Sequence, residues 1–451
     1  MANRPRGRLG LLLALVLSTV AVVVLLQCGF EDIPPERVIE PDAWVTDVDK
    51  QPINLHLTWQ SDPTSSLIVQ WRTEFKDAAA YTPRVWFAPD APEFVDRSGD
   101  EPAITVFGPE HVVAGEGQLY QESLAGEEAA EFVNWTVELT GLEPQTRYCY
   151  RAGSWAGFDE QTQTFEGVNL SGLHCFTTAP APSTDAAFRY VVAGDSRGGY
   201  EGIAANIERL RALDADFWLF SGDMNGMGNQ QEWDAWFAAM APLLGDTVLM
   251  PIQGNHEVFA EVYYHQFALP RAAGLPAGYE EFAWSFDYGN THFVGLNSNG
   301  VEIVRGQVDW LRQDLAAARR NPNTVWTVVQ FHHPAYSASN HGSTDRVLEH
   351  WVPVLEEQGV DLAFAGHDHN YERSHPVADG QVKPAGQGVV HVVAGAFYSP
   401  GYSAGTDWWT VTSTHGNKGN YVVVDVAGDE LTVTAYSGDG QEQLDRFSLA
   451  K

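Results

Sequence analysis

Hydrophobic positions along this chain follow two different periods, and the change of period divides it. From residue 51 apolar and polar side chains alternate, as in Ile53-Asn54-Leu55-His56-Leu57-Thr58-Trp59 and Leu67-Ile68-Val69-Gln70-Trp71-Arg72-Thr73, with Asp62-Pro63 turn chemistry between them. Further strands are expected at 84–87, 132–139 and 146–152, before His174-Cys175-Phe176-Thr177-Thr178 and a closing Ala179-Pro180-Ala181-Pro182. Short strands separated by turns predict a β-sandwich across 51–178. After Pro182 continuous apolar runs alternate with helical spacing. Runs at 188–193, 217–220, 248–252, 325–329 and 362–365 read as buried strands, and 203–213, 233–244, 308–318 and 347–358 as helices. Helices between buried strands predict an α/β layered domain over 185–451.

The first 50 residues obey neither period. Arg4, Arg6 and Arg8 precede an unbroken apolar or small run from Leu9 to Leu26, ending in Gln27-Cys28. That is an export signal over 1–28. Leu25-Leu26-Gln27-Cys28 resembles a bacterial lipoprotein signal with Cys28 as the lipidated residue, although Gln27 stands where a small residue is expected. A retained signal-anchor is the competing reading, because the run is just long enough to span a bilayer. Residues 29–50, with Ile33-Pro34-Pro35-Glu36, read as a tether. The expected location is the cell envelope, membrane-anchored, or extracellular. In that oxidising setting Cys149 and Cys175 form an even pair, either a disulfide or two buried thiols.

A formal charge of −33 over 451 residues repels nucleic acid and anionic lipid at long range, so no nucleic-acid partner is expected. A phosphate ester would have to be held by local cations. Ligand sites in α/β sheets lie at the carboxyl ends of strands, and the candidate chemistry sits there. The five runs end in Gly194-Asp195-Ser196-Arg197, Gly222-Asp223-Met224-Asn225, Gly254-Asn255-His256-Glu257, Phe331-His332-His333-Pro334 and Gly366-His367-Asp368-His369. One Asp after a strand is usually a helix cap; five such clusters are hard to read as caps. A mixed Asp, Asn and His set suits divalent Fe, Mn or Zn rather than calcium. Two such ions about 3.5–4 Å apart bind phosphate oxygens and ionise water for in-line attack.

The five clusters with Tyr371-Glu372-Arg373 resemble the calcineurin-like metallophosphoesterases. The front half, through Leu142-Glu143-Pro144-Gln145-Thr146-Arg147-Tyr148, resembles the sandwich of their purple acid phosphatase branch, with a fibronectin type III-like corner. The resemblance implies that Asp223 bridges two metal ions, that Asp195 and His369 hold the first, and that Asn255, His332 and His367 hold the second. It implies that His256 protonates the leaving alkoxide and that His341 contacts substrate from a loop. His333 is expected to point away from the metals. The chain departs from the pattern twice. Gly226 stands where the purple enzymes carry their iron-binding tyrosine, which implies a non-purple centre, and Arg197 where the wider superfamily carries a histidine. The first ion would then take more water, recruit Asn225 or Ser196, or bind weakly. Arg197 would grip a phosphate oxygen or serve as a structural ion pair. The implied function is hydrolysis of small phosphate monoesters by a tethered phosphatase. The alternatives are a phosphodiesterase on the same metals and a catalytically weak phosphate-binding or adhesion lipoprotein.

Overall fold

The computed structural model describes residues 51–451 apart from 75–80, 99–101, 107, 123–129, 156, 160–163, 167–168 and 258–261. The export segment and tether lie outside the described residues. Among the described residues no helix is long and apolar enough to cross a membrane.

Two sheets form the α/β part. The first contains Ala187–Ala193, Phe217–Phe220 and Val248–Pro251 in parallel, with Asn420–Ala427 antiparallel on the outer side of Ala187–Ala193. The second contains Thr291–Leu296, Trp326–Phe331, Leu362–Ala365 and Val389–Ala394 in parallel, bordered by Ala283–Tyr288 and Asn370–Ala378. Their aromatic faces meet: Tyr190 and Phe217 lie 5.1 and 5.2 Å from the ring of Phe293, and Phe188 lies 4.8 Å from Tyr288. Helices cover the other faces. Trp236 of the helix Gln230–Leu244 packs edge-on against Phe220 at 5.7 Å, and Trp351 lies tilted against Phe331 at 5.6 Å. The helical run expected at 347–358 is two helices, Asp345–His350 and Val352–Gln358. Pro353 causes the break, because it lacks an N–H and its ring collides with the preceding turn.

The N-terminal part is a sandwich whose first sheet continues the first α/β sheet. Ile53–Thr58 pairs in parallel with Val248–Pro251 through Leu57 and Val248, and carries Ser66–Glu74, Ala130–Thr140 and Glu116–Glu122 beyond it. The second sheet runs Asn169–Leu170, Arg147–Ser154, Arg84–Pro89 and Val112–Ala114. Cys149 and Cys175 face each other across paired strands and are disulfide-bonded. The sandwich grips the helix Gln230–Leu244. Arg72, nearly buried, pairs with Asp234 through two hydrogen bonds of 3.1 and 2.6 Å, Tyr120 donates to Gln230 Oε1 at 2.5 Å, and His56 stacks on Phe237 at 4.7 Å. That helix starts at Asn229, whose side chain caps Glu232 N–H at 3.0 Å.

Candidate metal centre

All five strand ends point to one cleft, three from the first sheet and two from the second. Asp195, Asp223 and His367 each turn off their strands with positive φ, of 58°, 54° and 70°, a conformation that costs a non-glycine residue free energy and clusters at functional sites. Glycines make room: a Cβ on Gly366 would lie 2.2 Å from Asp195 Oδ2, and one on Gly254 2.2 Å from Asp223 Oδ1. Both carboxylates are fully or almost fully buried.

Donor atoms of Asp195, Asp223 and His332 lie within 4.8 Å of one another. His332 Nε2 sits 3.3 Å from Asp223 Oδ1 and 2.9 Å from Asn255 Oδ1. His369 Nε2 sits 3.4 Å from Asp195 Oδ1. The other ring nitrogen is committed in each case: His332 Nδ1 to Ser221 O and His369 Nδ1 to Pro400 O, both at 2.7 Å, and His256 Nδ1 to Gly226 O at 2.6 Å. A carbonyl accepts, so Nδ1 carries the proton and Nε2 faces the cleft. That is how imidazoles are oriented for metal. At His332 it leaves Nε2 facing two oxygen acceptors, an arrangement that only a proton or a metal cation satisfies. The donor set therefore fits a divalent ion.

Charges in the centre are coupled. Burial opposes ionisation of Asp223, yet His332 and His256 hold its carboxyl well below the usual range. Burial likewise opposes charge on His332, but Asp223 and Asp195 raise its pKa to about 9. His367 is pushed down to about 2 by burial and by His332 and His341, which keeps its lone pair available.

Arg197 enters the centre itself. Its guanidinium donates from Nη2 to His369 Nε2 at 3.0 Å and Tyr402 OH at 3.3 Å, and from Nη1 to His256 Nε2, with Nε 3.7 Å from Asp223 Oδ2. The side chains of the two expected substitute ligands are hydrogen-bonded: Ser196 Oγ donates to Met224 O and accepts from Trp236 Nε1, and Asn225 Oδ1 accepts from Gly228 N–H. His341 is brought in, its ring stacked on His367 at 4.3 Å. His333 does not point away: its ring lies 4.4 Å from His367 and 4.9 Å from His332, its Nδ1 held by Ser298 Oγ at 2.8 Å. An open cleft of about 610 Å³ lies beside His333, His341 and His367 and includes Arg346 and Glu349.

Sequence reasoning assigned no role to three residues that shape the centre. Buried Glu257 accepts the backbone N–H groups of Asp223, Asn225 and Gly254 at 2.9, 3.2 and 2.8 Å; burial, then the charge of Asp223, raises its pKa to about 8. Asp368 accepts His341 N–H and Gly342 N–H and so fixes the loop carrying His341. Both lie inside the clusters, which was the available signal. Tyr402, stacked on His369 at 4.2 Å, has no motif around it.

A β-sandwich joined to a two-sheet α/β layer, with carboxylates and imidazoles converging where the strands end, is the architecture of a metallophosphoesterase. Residues 188–371 match the calcineurin-like phosphoesterase family and residues 52–167 the purple acid phosphatase N-terminal domain. In sequence the chain is similar to purple acid phosphatase 15 of Arabidopsis thaliana, 30% identical over 57% of this chain and 52% of that protein. It is similar to purple acid phosphatase 23 of the same plant, 29% identical over 55% and 59%. An uncharacterized protein of Mycobacterium tuberculosis is 29% identical over 72% of this chain and 62% of its own. The chain thus spans about half to three fifths of the length of these relatives. Its fold is similar to that of a purple acid phosphatase from yellow lupin (Lupinus luteus) seeds, with a TM-score of 0.67 at 17% identity over 89% of this chain and 74% of the other. PhoD gives 0.59 at 13% identity over 89% and 93%. Residues 188–371 thus form a calcineurin-like phosphoesterase domain, and a purple acid phosphatase N-terminal domain precedes it. This family uses a dinuclear metal centre.

Proposed function

We propose that this chain is an exported, metal-dependent phosphatase that hydrolyses small phosphate monoesters where the five strand ends meet. The observation that carries the reading is the set of imidazoles with Nδ1 fixed on backbone carbonyls and Nε2 turned toward buried Asp195 and Asp223. Asp223, Asn255, His332 and His367 would hold a metal ion, with Asp195 and His369 lining the seat beside it, and these mixed nitrogen and oxygen donors suit divalent Mn, Fe or Zn. When bound, such a centre supplies positive charge to the phosphate oxygens and makes water ionisable near neutral pH.

The remaining work falls to the chain. Arg197 presents N–H donors where phosphate oxygens would enter. His256, with Nδ1 committed to Gly226 O, would protonate the leaving oxygen through Nε2 once Arg197 Nη1 turns from that atom to a phosphate oxygen. His341, exposed and stacked on His367, orients the leaving group from the cleft wall. The arginines and apolar run before Cys28 support export and an N-terminal membrane tether, through a lipid on Cys28 or a retained anchor.

The test is a turnover screen of phosphate mono- and diesters with Mn, Fe or Zn returned one at a time to chelated protein. Metal-restored hydrolysis of monoesters in preference to diesters is expected. No turnover of any ester with any metal would leave a binding protein and end the proposal.

A further inference from the structure

Arg197 does more than line the centre. A first metal ion would need the lone pair of His369 Nε2 and an oxygen of Asp223. Both are already met by the guanidinium, at 3.0 Å from Nη2 and 3.7 Å from Nε. His256 Nε2, whose ring is likewise fixed through Nδ1, receives Nη1 of the same group. Asp195 accepts His367 N–H on both carboxylate oxygens, at 3.0 and 2.8 Å. Ser196 and Asn225, the side chains next in reach, are bonded elsewhere. A guanidinium keeps its charge at every accessible pH and offers five donors in a rigid plane. It therefore puts one permanent positive charge among the donors of the first seat.

The second seat differs. His332 Nε2 faces Asn255 Oδ1 at 2.9 Å and Asp223 Oδ1 at 3.3 Å, and His367 closes it with a ring 5.1 Å from that of His332. Among the described residues Arg197 makes its hydrogen bonds and ion pair with His256, His369, Tyr402 and Asp223, and none with His332, His367 or Asn255.

We propose that Arg197 takes the place of the first metal ion, so that the chain binds one divalent ion, on Asp223, Asn255, His332 and His367, and the guanidinium supplies the second positive charge. This departs from the two-ion centre that the family implies. It rests on the reading of the site as a metal centre, and its test does not read turnover.

Full-length protein stripped with chelator is titrated with Mn²⁺ by calorimetry and by electron paramagnetic resonance. One equivalent per chain and a spectrum without metal–metal coupling are expected. Two equivalents, or a coupled spectrum, overturn the inference. His369→Ala should still bind one equivalent, whereas His332→Ala should bind none; loss of the ion in His369→Ala would put it in the first seat and also overturn the inference. Arg197→His, which places an imidazole two residues after Asp195, should take up a second equivalent. If it still binds one, the guanidinium is not what excludes the second ion, and the substitution fails. One equivalent in a chain that hydrolyses no ester would remove the functional reading and leave this inference standing; turnover with two equivalents would do the reverse.

Discussion

On one side of the cleft His332 turns Nε2 toward Asn255 Oδ1 at 2.9 Å and Asp223 Oδ1 at 3.3 Å; on the other, His369 turns the same atom toward Arg197 Nη2 at 3.0 Å. Both imidazoles leave the second sheet, both are buried, and both fix Nδ1 on a carbonyl at 2.7 Å. They differ in what they face. The His332 side has electron pairs in excess and is completed by a cation from solution. The His369 side has its cation covalently in the chain. On the one-ion proposal, two sites of matching residue types differ in metal demand because of one side chain, two residues beyond Asp195.

The largest effect should come from the group common to both sides. Asp223→Ala removes the carboxylate that faces His332 through one oxygen and Arg197 through the other, so metal and activity should vanish together. Metal analysis beside an ester assay checks this, and retained metal would show that the two sides do not share Asp223. Next comes His256, on the arginine side alone. His256→Ala should keep its metal yet lose on the order of 10²–10⁴-fold in rate on an ester with a poor alkoxide leaving group. The loss should shrink on an activated aryl ester. Equal loss on both esters, or loss of metal, would make His256 an orienting residue instead.

A smaller effect lies outside the cleft, where the sandwich holds the helix behind the second strand end. Asp234→Ala leaves nearly buried Arg72 without its two-pronged partner. Unfolding by denaturant should show a loss of about 2–3 kcal/mol, at the lower end for a buried pair because Asp234 is a third exposed. Unchanged stability would mean that the sandwich contributes little to holding that helix.

The smallest effect concerns a histidine that lies between two acids rather than beside a cation. Burial opposes charge on His292, but hydrogen bonds to Asp287 and Asp314 outweigh it and raise its pKa to about 9. A raised folded pKa means that the stabilisation is complete below the unfolded value near 6.5 and is lost as pH rises through about 9. Roughly 2 kcal/mol should disappear over that window, after discounting for the half-exposed Asp287. Denaturation of wild type and His292→Gln at pH 6 and pH 10 reads it. An equal pH dependence in the two proteins would rule His292 out as the source.

Much of this was legible in the chain. Alternation at 53–59 and 67–73 marks sandwich strands by their period of two, although residues 67–73 are buried on both faces, the polar side chain of Arg72 meeting Asp234 of the helix Gln230–Leu244. The five clusters stand out because each follows an apolar run that only a buried strand explains, and Asp195, Asp223, Asn255, His256, His332, His367 and His369 all reach one cleft. Pro353 announced the helix break that spacing alone had bridged. What local pattern cannot carry is partnership. Tyr402 has no motif, yet the folded chain lays it on His369. His333 looked like the idle half of a His-His pair, and the second sheet turns it against His367. Glu257 and Asp368 sit inside clusters, but their hydrogen bonds to backbone N–H groups exist only after the loops close. Arg197 is the sharpest case. The resemblance to the metallophosphoesterases implied that it stands where the wider superfamily carries a histidine. Only the tertiary structure decided that its guanidinium reaches His369, His256 and Tyr402, because that depends on two sheets meeting at a distance no single segment encodes.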